Sequence, residues 1–120
     1  YLMIAQEQYK DISLAGSYNV GPDDLDCWTT GDLVDQFCKK WNESHTEGTY
    51  KAEWINQYDG GPHEANFLKL DCSKIKSVFG WKTTWHMQET MEKIVEWTKC
   101  YLDKKDMIGC MERQIQEFLD

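Results

Sequence analysis

The sequence predicts an α+β domain that is small, rich in helices and supplied with a few short strands. Apolar residues recur at helical spacing in segments bounded by capping residues and glycines, and short extended runs lie beside Gly-Pro breaks. The chain has 120 residues with six Trp, six Tyr and four Phe, which is enough apolar area to bury a core. We therefore expect residues 1–120 to form a single domain.

Five segments are predicted to be helical from the period of their apolar positions. Thr30, Asp71 and Asp106 are expected to cap helices, His86 occupies the cap position of the longest one, and Gly80 is expected to end a helix. The predicted helices are Leu2–Asp11, Gly31–Trp41, the segment from Asp71 to Gly80, Met87–Leu102 and the segment from Asp106 to Phe118.

The core is expected to form from the apolar faces of these helices. On the two best-defined faces we expect burial of Ile75, Val78 and Phe79, and of Met87, Met91, Ile94, Val95, Thr98 and Leu102. Trp81, Trp85 and Trp97 are also expected in the core. The extended segments are Ser17–Val20, Tyr50–Ile55 and Phe67–Leu70, of which the last two are predicted strands.

The composition excludes several function classes. Thirteen Lys and Arg stand against 21 Asp and Glu, the net charge is −8, and no basic cluster occurs, so we expect neither a nucleic-acid nor a membrane partner. No apolar run is long enough to cross a bilayer, and we recognise no secretory signal. The five cysteines are odd in number and lack a Cys-x-x-Cys pair, which predicts reduced thiols and a cytoplasmic protein.

The sequence contains no complete motif for metal or nucleotide chemistry. His63-Glu64 begins like the H-E-x-x-H zinc motif, but Phe67 occupies the place of the second His. Asp24 and Asp26 begin like a calcium loop, but the next ligand position is Trp. No glycine-rich phosphate loop and no Gly-x-Ser-x-Gly elbow is present, so we expect no metal site and no cofactor site in this chain.

Four polar residues lie beside chain breaks, where side chains can converge on a ligand. They are Tyr18 and Asn19 before Gly21-Pro22, and His63 and Glu64 after Gly60-Gly61-Pro62.

Three long motifs stand out in the sequence: A-G-S-Y-N-V-G-P-D-D, which begins at Ala15, P-H-E-A-N-F-L-K-L-D, which begins at Pro62, and the D-x-S-K-I…G-W…V-E-W pattern from Asp71 to Trp97. The last pattern resembles one shared by the extended short-chain dehydrogenase/reductases of the NAD-dependent epimerase/dehydratase superfamily. The first two are narrower, and they are similar to motifs of the CDP-glucose 4,6-dehydratases within that superfamily.

The resemblance implies a parent enzyme with two parts. An N-terminal Rossmann domain would bind NAD, and a C-terminal domain would bind the nucleotide sugar, CDP-glucose. The implied reaction yields a CDP-4-keto-6-deoxy sugar and water, with NAD oxidised and reduced within each turnover. The family's catalytic Tyr-x-x-x-Lys pair is expected to be absent from this chain, and its catalytic Thr and acid/base carboxylate precede the matched motifs. Because the chain also begins at Tyr1, we expect an inactive C-terminal fragment of a bacterial enzyme that is itself a homo-oligomer.

The resemblance also implies roles for single residues. Asn19, with Tyr18 before it, matches the strand end that faces the nucleotide, and Glu64 matches a carboxylate near the ribose. His63 would lie beside the phosphates or the base. Lys69 and Lys51 are the candidate cations for the diphosphate.

Two other interpretations stay open on the sequence. The chain could derive from another nucleotide-sugar epimerase or dehydratase, which a panel of nucleotides would distinguish. It could also be a non-catalytic binding module. An interdomain face would leave apolar residues of the first helix exposed, such as Leu2, Ile4 and Tyr9, and would favour self-association of the isolated chain.

Overall fold

The computed structural model describes residues 1–44, 50–57 and 69–120. Five α-helices occur in these ranges, together with 3-10 turns at Ile12–Leu14 and Asp24–Asp26. The helices are α1 (Leu2–Lys10), α2 (Thr30–Glu43), α3 (Ser73–Phe79), α4 (Met87–Leu102) and α5 (Met107–Leu119). None of these helices combines the length and the apolar character needed to span a membrane.

The predicted α+β class is wrong, because the described residues contain helices and no strand. The predicted strand Tyr50–Ile55 is irregular, and side chains of α2 bind its backbone. Asn42 accepts from the Ala52 N–H at 2.9 Å and donates to the Ala52 carbonyl at 3.0 Å, and the Trp41 indole donates to the Tyr50 carbonyl at 3.0 Å. These bonds satisfy backbone groups that a sheet would otherwise pair with a neighbouring strand.

The other two extended segments also form no strand where they are described. Ser17–Val20 is irregular, as is the described part of Phe67–Leu70, which is Lys69 and Leu70. Phe67 and Leu68 lie outside the described residues.

The chain divides into two compact units. The first comprises Tyr1–Cys27 and the described residues of Leu68–Thr83, and it contains α1 and α3. Its buried side chains include Ile75, which is 1% exposed, and Cys72. The Tyr18 and Phe79 rings lie 4.9 Å apart, and α3 ends at Gly80 with φ +64°, as its sequence predicts.

The second unit contains α2, α4 and α5, and α4 packs against the other two helices. Val95 of α4 and Cys110 of α5 are buried. Charged pairs join the helices at the surface: Lys40 of α2 lies 2.6 Å from Glu92 of α4. Such exposed pairs contribute little individually, so the apolar contacts supply most of the stability of the helix packing.

Two predicted caps are wrong, and the predicted C-terminal ends of the first two helices, Asp11 and Trp41, differ from the observed ends at Lys10 and Glu43. The N-cap of α2 is Thr29 instead of Thr30: its hydroxyl accepts from the Asp32 N–H at 3.2 Å, and the Asp32 carboxylate accepts from the Thr29 N–H. The N-cap of α3 is Cys72 instead of Asp71, although the Asp71 carboxylate accepts from the Ser73 N–H at 2.9 Å.

The remaining predicted caps are confirmed. Asp106 accepts from the Gly109 N–H at 3.1 Å at the start of α5. α4 spans Met87–Leu102 as predicted, with His86 as its N-cap, and the Glu89 carboxylate accepts from the His86 N–H at 3.1 Å.

The predicted core is only partly buried. Ile75 and Val95 are buried, but Val78, Ile94, Trp97 and Leu102 are exposed, so the sequence prediction is wrong for those four. Apolar spacing identifies the face of a helix, but how much of that face is covered depends on which elements pack on it.

Candidate functional site

A cleft in the first unit is lined by one of the predicted ligand-binding residues, Lys69. Its volume is about 370 Å³. We call it the lysine cleft, after the two lysines that line it. The lining residues are Pro22, Asp24, Lys69, Leu70, Asp71, Cys72, Ser73 and Lys76.

This cleft is lined by Lys76 of α3, by Lys69 in the segment before α3, and by Asp24 of the 3-10 turn, which Asp23 immediately precedes. The Lys69 ammonium lies 2.7 Å from the Asp24 carboxylate, and Lys76 forms an ion pair with Asp23. Asp23 also accepts from the Thr83 hydroxyl at 2.8 Å. Hydrogen bonds to Asp24 and Asp23 raise the pKa of Lys69 and that of Lys76, respectively, which keeps both ammonium groups charged.

Asn19 borders the lysine cleft. Its side-chain amide donates to the backbone carbonyl of Asp71 at 3.2 Å, and Asn19 is itself exposed. The Asp71 carboxylate accepts from Ser73, and these hydrogen bonds lower the pKa of Asp71. The cleft therefore has a fixed carboxylate and an exposed amide at one edge and two ammonium groups in its lining.

Tyr18 is held by contacts within the same unit. Its hydroxyl donates to the Leu14 carbonyl at 2.6 Å, and the Lys74 ammonium lies 4.3 Å from the centre of its ring. Lys74 also donates to the Ser17 carbonyl at 3.0 Å. Since the hydroxyl is already engaged, Tyr18 is best suited to positioning the segment that carries Asn19.

The remaining predicted positions are not all described. His63 and Glu64 lie outside the described residues. Lys51, the other candidate for the diphosphate, is exposed in the second unit. The structure thus brings Asn19 and Lys69 to one cleft.

Sequence reasoning missed Lys76 and its partner Asp23. The available signal was the acidic pair at positions 23 and 24, directly after the Gly-Pro break, together with an abundance of lysines on α3. Which lysine faces which carboxylate depends on how α3 packs against the turn, and local spacing does not provide that information.

A second cleft, of about 750 Å³, lies in the second unit between α2, α4 and α5. Its cations are engaged with protein groups. Lys99 donates to the Trp41 carbonyl at 2.9 Å and to the Ser44 carbonyl at 2.7 Å, and Arg113 lies 2.5 Å from Glu96. Lys99 therefore binds the free carbonyls at the end of α2, which is a structural role.

The expectation that the family's Tyr-x-x-x-Lys pair is absent overlooked one such spacing, at Tyr101 and Lys105. Helix α4 ends at Leu102, and Lys104 has φ +54°. Lys105 therefore lies beyond the helix, and its ammonium is 2.8 Å from the Asp103 carboxylate. The Tyr101 ring stacks on Trp97 at 5.7 Å. The two residues do not share one helical face, which argues against a catalytic role.

Metal-binding and thiol chemistry have little support in the described part of the chain. No group of three or more His, Cys, Asp or Glu side chains there is arranged to hold a metal ion. All five cysteines are free, and burial raises the pKa of the Cys110 thiol.

Comparison with known proteins gives one informative match. No protein-family profile matches the chain. The chain is 33% identical over 120 residues to a CDP-glucose 4,6-dehydratase of Salmonella typhimurium, and the alignment covers 99% of the chain. It covers 32% of that enzyme, so the chain spans about a third of the length of the relative it matches. The resemblance found in the motifs is therefore confirmed: along nearly its whole length this chain is similar to part of a CDP-glucose 4,6-dehydratase.

Proposed function

We propose that this chain is the nucleotide-sugar-binding portion of an enzyme of the CDP-glucose 4,6-dehydratase type, and that the lysine cleft is part of its substrate site. The observation that carries the proposal is the 33% identity to such an enzyme across 99% of the chain. The proposed substrate is CDP-glucose, and the proposed products of the whole enzyme are CDP-4-keto-6-deoxyglucose and water.

The chemistry of the lysine cleft supports this proposal. A nucleotide diphosphate carries several anionic oxygens, and ammonium groups are suitable partners for them. Lys69 lies in the cleft, and Asn19 offers an exposed amide at its edge. We assign Lys69 to the diphosphate and Asn19 to the nucleotide, with Tyr18 positioning Asn19. His63 is proposed to contact the phosphates or the base, and Glu64 is proposed to contact the ribose.

The residues of this chain do not fit NAD. Its sequence has no G-x-G-x-x-G loop at which a helix could receive a dinucleotide pyrophosphate. We therefore assign NAD and the acid/base groups to a Rossmann domain outside this chain. That domain is the proposed partner of this portion, and the whole enzyme is proposed to be a homo-oligomer. This chain alone is proposed to bind substrate without turnover.

A nucleotide panel tests the proposal. Binding of CDP, UDP, GDP and dTDP to the chain should be measured by calorimetry at one salt concentration. The proposal requires CDP to bind most tightly. Equal affinity for all four nucleotides would remove the cytidine assignment, and tighter binding of GDP or dTDP would favour another dehydratase or epimerase. If no nucleotide binds, the chain is a binding module of another kind.

A further inference from the structure

The lysine cleft contains a second cation that neither the motifs nor the similar enzyme's name assigns. Lys76 is on α3, one residue beyond the buried Ile75, and it lines the same cleft as Lys69. The burial of Ile75 fixes the rotation of α3 about its axis. That rotation brings the neighbouring Lys76 toward the turn that carries Asp23.

Each lysine has its own carboxylate partner. Lys69 pairs with Asp24 and Lys76 with Asp23, so two adjacent acidic residues hold two lysines that are seven positions apart in the sequence. Asp23 also accepts from the Thr83 hydroxyl. The side chain of Lys76 remains 39% exposed and that of Lys69 44% exposed, so both can exchange partners without unfolding.

The exposed ion pairs are weak enough to be replaced. Exposed pairs of this kind contribute little to stability, because water screens them. A diphosphate presents several oxygens to two ammonium groups together, so it can engage both where each carboxylate engages one.

We propose that Lys76 and Lys69 together receive the diphosphate of the nucleotide sugar, and that Asp23 and Asp24 are the counter-ions that it replaces. This inference rests on the proposed function and adds the identity of the second cation. No bond is made or broken in the step: two ion pairs within the protein are exchanged for ion pairs to phosphate oxygens. Lys69 lies in the segment before α3, and Lys76 lies on α3 itself. The two side chains can therefore approach the diphosphate from different elements.

The test compares Lys76→Met with Lys82→Met, the same substitution at an exposed lysine that is not in the cleft lining. Dissociation constants for CDP and for cytidine, which lacks phosphates, are measured by NMR titration of the chain. We expect Lys76→Met to weaken CDP binding about tenfold or more and to leave cytidine unchanged. Lys82→Met should match the original chain for both ligands, and Lys76→Arg should retain most of the CDP affinity.

The outcomes separate the two proposals. If Lys76→Met leaves the CDP affinity unchanged, the proposed role of Lys76 is overturned and the proposed function still stands. Loss of CDP and cytidine binding together, or a lowered unfolding midpoint that Lys76→Arg does not restore, would also overturn it, because Lys76 would then act through the fold. An original chain that binds neither CDP nor cytidine would contradict the proposed function, and this inference with it.

Discussion

Replacing Ile75 by Ala should destabilise the first unit more than any substitution at an exposed apolar position. Ile75 is 1% exposed, and it is the one large side chain in the described residues that is fully buried. The substitution removes three side-chain carbons. At about 0.8 kcal/mol for each buried methylene-sized group, the lost transfer free energy is about 2.4 kcal/mol. The unfilled cavity adds to this, and measured losses for such substitutions are about 2–5 kcal/mol.

The assay is urea-induced unfolding of the chain and of Ile75→Ala, followed by tryptophan fluorescence and circular dichroism. Ile115→Ala is the matched control, because Ile115 is 57% exposed on α5. We expect the control to change the free energy of unfolding by less than about 1 kcal/mol. A loss below about 1 kcal/mol for Ile75→Ala would refute the reasoning that α3 is anchored by this side chain. Since α3 also carries Lys76, we further expect Ile75→Ala to weaken CDP binding.

Three further predictions concern the caps, the thiols and the pH dependence. Thr29→Ala should lower the free energy of unfolding by about 1 kcal/mol, and Thr30→Ala by clearly less, in thermal unfolding; equal losses would contradict the position of the α2 cap. When the native chain is alkylated with iodoacetamide and its peptides are analysed by mass spectrometry, the buried Cys72 and Cys110 should react more slowly than the three partly exposed cysteines, Cys27, Cys38 and Cys100. A buried thiol is inaccessible to the reagent, and burial also raises the pKa of Cys110. Faster labelling of Cys110 than of the partly exposed cysteines would contradict its burial. Hydrogen bonds from Gln114 and Arg113 lower the pKa of Glu96, so its stabilising effect is present above the ordinary glutamate pKa and is lost as the pH falls through the lowered pKa. Glu96→Gln should reduce this acid dependence in unfolding measured at several pH values, and an unchanged pH profile would exclude the contribution.

The helices could be predicted because the information that forms them is local. The bounds of α4 follow from the helical spacing of its apolar residues and from Glu89, which stands three residues after the N-cap His86 as in a capping box. The error at α2 was also local: Asp32 stands three residues after Thr29, and that spacing favours Thr29 over Thr30 as the cap.

The prediction of a strand at Tyr50–Ile55 was wrong because strand pairing depends on residues that are distant in the sequence. The segment Tyr50–Ile55 has a suitable composition for a strand, but the side chains of Asn42 and Trp41 occupy carbonyls that a neighbouring strand would need. A segment's own residues give no indication that such partners will be present.

The candidate site was predictable in part. The motifs indicated Lys69, which lines the lysine cleft, and Asn19, which bonds to the lining residue Asp71; their roles in ligand binding stay predictions. Lys76 was not found, because its place in the cleft depends on the packing of α3 around Ile75. The roles of His63 and Glu64 remain predictions from the resemblance.

The central claim is that the nucleotide sugar binds at the lysine cleft of the first unit. Amide chemical shifts of the labelled chain, recorded during titration with CDP-glucose, test it most directly. The account predicts that the largest changes occur at Asn19, at residues 69–76 and at Asp23 and Asp24, with little change along α4 and α5. Changes concentrated at α4 and α5, around the larger cleft of the second unit, would contradict it.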